Sequence, residues 1–332
     1  MLLKKIVRNF AIVLLGGIGL GLALIFVSPR PTALLINKMF EGGLAVKPAN
    51  YDEIEKQTIS YTDVSYESKF KDGYLDVVKP VKHSGKLPVI FWVHGGAFVG
   101  GDKSDVTEYA VQIANQGYVV VNLNYQLAPS AIYPTPVKQL DEAYQYIKEH
   151  AEDYGIDLER IYFAGDSAGA QIASQYLTIQ VDKNYKNKSD IQASIPIETL
   201  KGALLFCGPY DISQFASMSD NAVLQFFLKR VGWSYIGERD WSNSEVIQEA
   251  SIIEHVGEAF PSTFITDGNV NSFQNQGVAL AEKLRAQGVR VQDVFYSLDE
   301  AKLEHEYQFI MNTPQAVNTF NQLIDFLNET SQ

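Results

Sequence analysis

The sequence predicts an α/β fold in which a mostly parallel, eight-stranded sheet is flanked by helices. Three observations carry this expectation. Short β-branched and aromatic runs alternate with longer stretches of helical periodicity. The runs at 87–93 and 118–123 are almost wholly apolar, as strands covered on both faces of a parallel sheet are. Glycine-rich or polar loops follow several of these runs, at the strand ends where open α/β sheets place their ligands.

In chain order, residues 10–27 come first, 18 residues without a charge, preceded by Lys4, Lys5 and Arg8. That length just crosses a bilayer as a helix, and basic residues on its N-terminal side send the bulk of the chain across the membrane. A cleaved signal peptide competes. The run exceeds the usual apolar region of such peptides, however, and no A-x-A-like site comes before Ser28-Pro29-Arg30-Pro31. Residues 1–28 are therefore expected to form an uncleaved single-pass anchor at the cell membrane, with the remainder outside the cytoplasm; secretion after cleavage is the alternative. Residues 29–57, with Pro29, Pro31, Gly42-Gly43 and Pro48, read as a linker or cap segment passing into a short helix. The main domain is assigned to 58–332.

Within it, strands are expected at 58–66 and 74–78, a hairpin turning at Lys71-Asp72-Gly73, and at 87–93, 118–123, 160–164, 202–207, 263–266 and 291–298. Helices are expected near 105–116, 137–150, 168–180, 273–287 and 314–327; in the third, Ile172, Tyr176 and Ile179 stand at helical spacing. The stretch from 208 to about 250 reads as irregular. With 332 residues, 46% of them hydrophobic, the chain has ample material for a core. A net charge of −12 argues against nucleic acid as a partner. The one cysteine, Cys207, excludes intrachain disulfides and cysteine-based metal sites, and its apolar run marks it as a buried thiol. No metal is expected, and nothing specifies an oligomeric state.

Two glycine motifs carry chemistry. Gly165-Asp166-Ser167-Ala168-Gly169 fits Gly-x-Ser-x-Gly, a pattern that chance supplies in about one chain in nine of this length. Its flanks give it weight: a β-prone run at 161–164 precedes it and a helix follows, the setting of a serine nucleophile on a sharp turn. An ordinary turn serine is the alternative. His94-Gly95-Gly96-Ala97-Phe98 leaves the strand at 87–93, and chance supplies a His-Gly-Gly triplet in only about 3% of chains with these counts. Adjacent glycines let backbone N–H groups face a cavity, as a developing oxyanion requires; the expected donors are Gly95, Gly96 and Ala97, joined by Ala168. His305, alone of the five histidines, lies between the last strand and the last helix, where a general base would take the Ser167 proton.

These segments carry a family likeness. VIFWVHGGAFVGGDK, VVVNLNYQLAP, YPTPVKQLDEAYQYI and IYFAGDSAGAQIA, in that order, resemble the hormone-sensitive-lipase-like branch of the α/β-hydrolase esterases. The likeness covers about residues 85–180 strongly and 255–325 more loosely. It implies an α/β-hydrolase fold, hydrolysis of small-molecule carboxylic esters without a cofactor, and a helical cap over the site, here 30–57 and about 211–250. The chain departs from the family pattern at the triad acid. Members carry an aspartate shortly before a glycine that opens the next helical region, and counting back from Gly277 reaches Asn271, which holds no charge. Asp267, at the preceding strand end, keeps the order Ser–Asp–His and is the expected acid. Asp211 is the alternative acid, and an uncharged Asn271 orienting the histidine is a third possibility. Ester hydrolysis stands beside two alternatives, a ligand-binding protein without turnover on the same fold and an amidase or peptidase. The cap residues Phe215, Phe226, Phe227, Trp233, Tyr235 and Trp241 fit either an apolar substrate group or packing of the cap on the body.

Overall fold

Eight strands form one sheet: β1 Thr58–Ser65, β2 Tyr74–Pro80, β3 Leu87–Val93, β4 Val119–Leu123, β5 Ile156–Asp166, β6 Leu200–Phe206, β7 Thr263–Asp267 and β8 Val291–Phe295. They lie in the order β1-β2-β4-β3-β5-β6-β7-β8. The β1–β2 and β2–β4 pairs are antiparallel and the others parallel. The structure is a computed structural model that describes residues 9, 24–43, 45–185, 189–216, 218 and 221–332. Residues 10–23 of the expected anchor lie outside the described residues. Among the described residues, no helix is long and apolar enough to cross a membrane.

The helices that matter for the site are α1 Arg30–Phe40, α2 Thr107–Ala114, α3 Thr135–Glu149, α4 Ala168–Val181, α5 Ala222–Ile236, α6 Gln274–Ala286 and α7 Pro314–Thr330. Every residue of β3 and β4 is buried, because helices cover both faces of the sheet. One face packs on α3, α4 and α6 through residues such as Phe91, Phe163 and Leu280. The other packs on α2 and α7 through Trp92, Phe206 and Phe326.

Two segments whose residues read as linker and as irregular are helical, as the family resemblance implies. Residues 30–40, expected as linker, form a helix. Pro29 and Pro31 occupy its first turn, where no backbone N–H is needed for an intrahelical bond, so prolines that look like linker punctuation are start signals. The stretch expected to be irregular contains the 15-residue helix α5, whose N-cap Asn221 accepts from the Val223 and Leu224 amides. α1 packs against α5. Asn37 on α1 donates to Val99 O at 3.0 Å, which fixes the helix beside the 94–100 turn.

Register positions the chemistry. Val93 pairs with Gly165, Asp166 with Phe206, Phe206 with Thr266 and Asp267 with Phe295. The C-terminal ends of β3, β5, β6 and β7 therefore finish in one row. The residues that follow them, His94, Ser167, Cys207 and Gly268, crown the same edge.

Candidate active site

Ser167 sits between β5 and α4 with φ 50° and ψ −118°. A non-glycine residue there carries roughly 1–3 kcal/mol of backbone strain, which the surroundings must over-determine. They do so through glycine. A Cβ on Gly169 would lie 1.9 Å from Val93 O, and one on Gly165 would lie 2.4 Å from the Gly169 backbone. The turn is thus possible only because both flanking residues lack side chains. The Ser167 amide donates to Phe206 O at 2.8 Å.

The Ser167 Oγ–H donates to His305 Nε2 at 3.0 Å, and Nδ1–H of the same ring donates to Asp267 Oδ1 at 3.2 Å. The Asp267 side chain is buried, and its two oxygens accept the amides of Gly268 and Phe273, each at 2.7 Å. Burial alone would lower the His305 pKa. The hydrogen bond and charge of Asp267 outweigh it, helped by the carboxyls of Glu306 and Asp166, and raise it to about 8. The structure does not bring the other candidate acids to the ring. Asp211 instead accepts from Ser213 and Gln214 at the start of the cap segment. Asn271 is exposed, with φ 49°, and donates to Glu304 at 3.0 Å.

The 94–98 turn differs from expectation at one donor. The Gly95 amide donates to Asp166 Oδ2 at 2.8 Å and so faces away from the serine. Among the described residues, the amides of Gly96 and Ala97 donate to no acceptor. Ala168 opens α4, where an N–H has no intrahelical partner. Those three amides are the donors available to an oxyanion. Gly96 has φ 105°, and a Cβ there would lie 2.1 Å from Gly100 O, so only glycine fits. His94 is buried and stacks on Tyr125; burial lowers its pKa to about 4, which keeps it a neutral ring that shapes the turn.

Two neighbours of the site escape the sequence reading although each adjoins a singled-out residue. Asp166 accepts from Trp92 Nε1 at 2.7 Å as well as from Gly95. Glu306, held at φ 63°, faces Asp166 and brings Oε1 to 3.9 Å from His305 Nε2. Burial raises both carboxyls; the Glu306 charge pushes Asp166 further up, while His305 and a hydrogen bond from Asp166 favour the charged form of Glu306. Cys207 Sγ lies within 4.8 Å of ligand atoms on Asp267 and His305, a spacing a metal would accept. The thiol, however, donates to Gln308 Oε1 at 3.3 Å, and burial raises its pKa away from the thiolate a metal needs.

A cavity of about 340 Å³ opens beside Gly96 and Ala97. Asp166 and Glu306 lie on its wall, and the rest is mainly apolar: Ile36 and Met39 from α1, and Phe227, Leu228 and Val231 from α5. A second cavity, of about 320 Å³, is walled in part by Asn271, Ser272 and Phe273; the Phe273 ring meets His305 edge-on. The aromatics of residues 211–250 divide between the two expected roles. Phe227 faces the first cavity. Tyr235 stacks on Phe98, Phe215 on Phe273, and Trp241 fills the space left by Gly232.

Comparison with known proteins places these features in a family context. The family model described as BD-FAE matches residues 75–284, which include Ser167 and Asp267 and stop before His305. The chain is 34% identical over 86 residues to an acetyl esterase of Salmonella schwarzengrund, covering 26% of this chain and 27% of that one. It is 25% identical over 235 residues to Lipase 2 of a Moraxella species, covering 64% of this chain and 53% of that one. It spans about half the length, or less, of the curated relatives it matches first. Among solved structures, esterase B of Lactobacillus rhamnosis superposes with a TM-score of 0.72 at 19% identity, covering 93% of this chain and 95% of that one. At that identity the likeness speaks for the fold, an α/β-hydrolase fold.

Proposed function

The chain belongs to the BD-FAE family, and from that premise we propose that it is a serine hydrolase of carboxylic esters acting through an acyl-enzyme on Ser167. One observation carries the proposal: Ser167 Oγ, His305 and Asp267 form a continuous hydrogen-bonded series beside three amides without acceptors. The acetyl esterase and lipase among its relatives fit this chemistry.

His305 Nε2 takes the Oγ proton as Oγ bonds to the ester carbonyl carbon, and the carbonyl oxygen becomes an oxyanion. The amides of Gly96, Ala97 and Ala168 stabilise that charge, each typically by about 3 kcal/mol. The imidazolium then protonates the leaving alcohol as its C–O bond breaks. Water, deprotonated by the freed imidazole, attacks the acyl-enzyme; the carboxylic acid leaves and Oγ regains its proton. The alcohol must depart on the side where Nε2 can reach it. This puts the acyl group in the apolar cavity beside Gly96 and makes 30–57 with 211–250 a cap over it. The scheme needs no cofactor.

Replacing Ser167 with Ala is expected to abolish hydrolysis of short-chain nitrophenyl esters, and a fluorophosphonate probe is expected to label the parent chain on Ser167. Full activity in the variant would overturn the proposal. An intact parent that takes no label would favour ligand binding without turnover. Preference for an anilide over the matching ester would favour the amidase reading. We further propose that residues 10–27 anchor the chain in the cell membrane with this domain outside the cytoplasm. The uncharged run and the basic residues before it support that orientation.

A further inference from the structure

α1 has one buried side and one bare side. Thr32, Ala33 and Ile36 face the body. On the opposite side, Leu34 is 71% exposed, Leu35 52% and Met39 73%. Positions 34, 35, 38 and 39 share one helix face, so these side chains form a stripe interrupted only by the exposed Lys38. Scattered surface leucines need no explanation, but a contiguous apolar patch on a protein of net charge −12 does. α5, packed against α1, adds Val223, 65% exposed, and Leu224.

Three further facts say what covers this surface. The chain reaches α1 directly from the uncharged run 10–27, whose last residue, Val27, is also exposed. The apolar cavity beside Gly96 is bounded by Met39 and Leu224, so its rim belongs to the same patch. Arg30 and Lys38, both exposed, put cations beside the apolar stripe in an otherwise acidic chain. Apolar side chains bordered by basic ones on a surface helix match the boundary between acyl chains and anionic headgroups.

We infer that the bare face of α1 lies in the membrane surface, so that the cavity takes its acyl group from an ester residing in the bilayer. This rests on the membrane reading of residues 10–27 and deepens it: the anchor fixes the distance to the bilayer, and α1 fixes the orientation of the cavity mouth. An acyl chain then passes from lipid to cavity along Met39 and Leu224 without crossing water, and esters already dissolved in water gain nothing from the arrangement.

The test uses the full chain in vesicles of equal parts phosphatidylcholine and phosphatidylglycerol. With Cys207 buried, Leu35→Cys gives one accessible thiol for an environment-sensitive dye. Lys82→Cys, in the loop before β3 at the opposite end of the sheet, is the control. The dye at 35 is expected to shift to shorter wavelength and to be quenched by lipids spin-labelled on the acyl chain, while the dye at 82 does neither. In the activity arm, the double variant Leu34→Glu, Leu35→Glu is expected to lose about tenfold or more against a long-chain ester doped into the vesicles. It should keep its rate on a soluble short-chain ester. A chain that floats with the vesicles while its dye at 35 stays aqueous overturns the inference and leaves the anchor standing. A shift without quenching by lipid means that protein covers the face and also overturns it. A chain that stays with the aqueous fraction overturns the anchor and the inference together. The dye readout does not depend on turnover, so failure of the hydrolase reading is seen separately.

Discussion

Replacing Asp267 with Asn separates the three acids that the sequence leaves open. The change is nearly isosteric, but both Asp267 oxygens accept N–H groups: Gly268 and His305 on Oδ1, Phe273 on Oδ2. An asparagine that keeps its oxygen towards His305 turns its NH₂ against the Phe273 amide, donor against donor, in a buried site. The flipped rotamer satisfies Phe273 but presents NH₂ to Nδ1, which makes Nδ1 the acceptor and puts the ring proton on Nε2. A ring protonated at Nε2 cannot accept from Ser167. Loss of the correct tautomer costs serine hydrolases about 10⁴ in kcat, equivalent to about 5 kcal/mol of barrier. The pH profile gives a second readout. The base works when neutral, so kcat/KM of the parent rises with pH through about 8. Without the Asp267 carboxylate, burial dominates and the limb moves to lower pH. Both are measured with a short-chain nitrophenyl ester across pH, with thermal unfolding as the check on folding. A variant within tenfold of the parent with its limb unmoved would refute this reasoning, and a collapse in Asp211→Asn instead would transfer the role.

Glu306→Gln replaces a carboxyl whose charge helps raise the His305 pKa with a neutral isostere. It is expected to move the acid limb of kcat/KM to lower pH, by less than the loss of Asp267 does. An unmoved limb would show that Glu306 carries no charge beside His305. Gly169→Ala drives a methyl group into Val93 O and His94 O, which are backbone atoms and cannot swing aside. It should cost about 3 kcal/mol of stability, read from the denaturant midpoint. Gly257→Ala, with open space around its Cβ, should stay within about 0.5 kcal/mol.

What was legible in the sequence follows from where each signal resides. β3 is readable to both ends because all seven of its residues are buried, so the apolar run and the strand coincide. β5 extends four residues earlier than the 160–164 core suggests. Its start, Ile156 to Glu159, includes polar residues and is strand because Ile156 and Asp157 pair with Leu87 and Pro88 before a register shift. α5 reads as irregular because apolar side chains point in several directions. Phe227, Leu228 and Val231 line the cavity, Tyr235 stacks on Phe98, and Gly232 receives Trp241. These share one side, but Phe226 and Trp233 flank Arg230 on the opposite side, and apolar residues on both sides erase the single-faced periodicity by which a surface helix is recognised.

The same contrast separates chemistry from specificity. Ser167, His305 and the 94–98 turn are local signatures, a tight turn or a loop at a strand end, that a short window of sequence announces, whereas the acid stays open among three residues until the fold brings Asp267 to the His305 ring. Parallel register then gathers the strand ends into one row. The error at Gly95 marks the limit of that logic, since its amide direction depends on where the Asp166 carboxylate goes, and Asp166 goes to Trp92 and Gly95 from a neighbouring strand. The cavity has no local signature at all. Its apolar walls come from α1 and α5, which are distant in sequence and meet only in the folded chain. Substitutions in those walls leave the hydrogen-bonded series of Ser167, His305 and Asp267 untouched. Ile36, Met39 and Val231 are therefore the positions at which acyl preference should move independently of the catalytic pH profile.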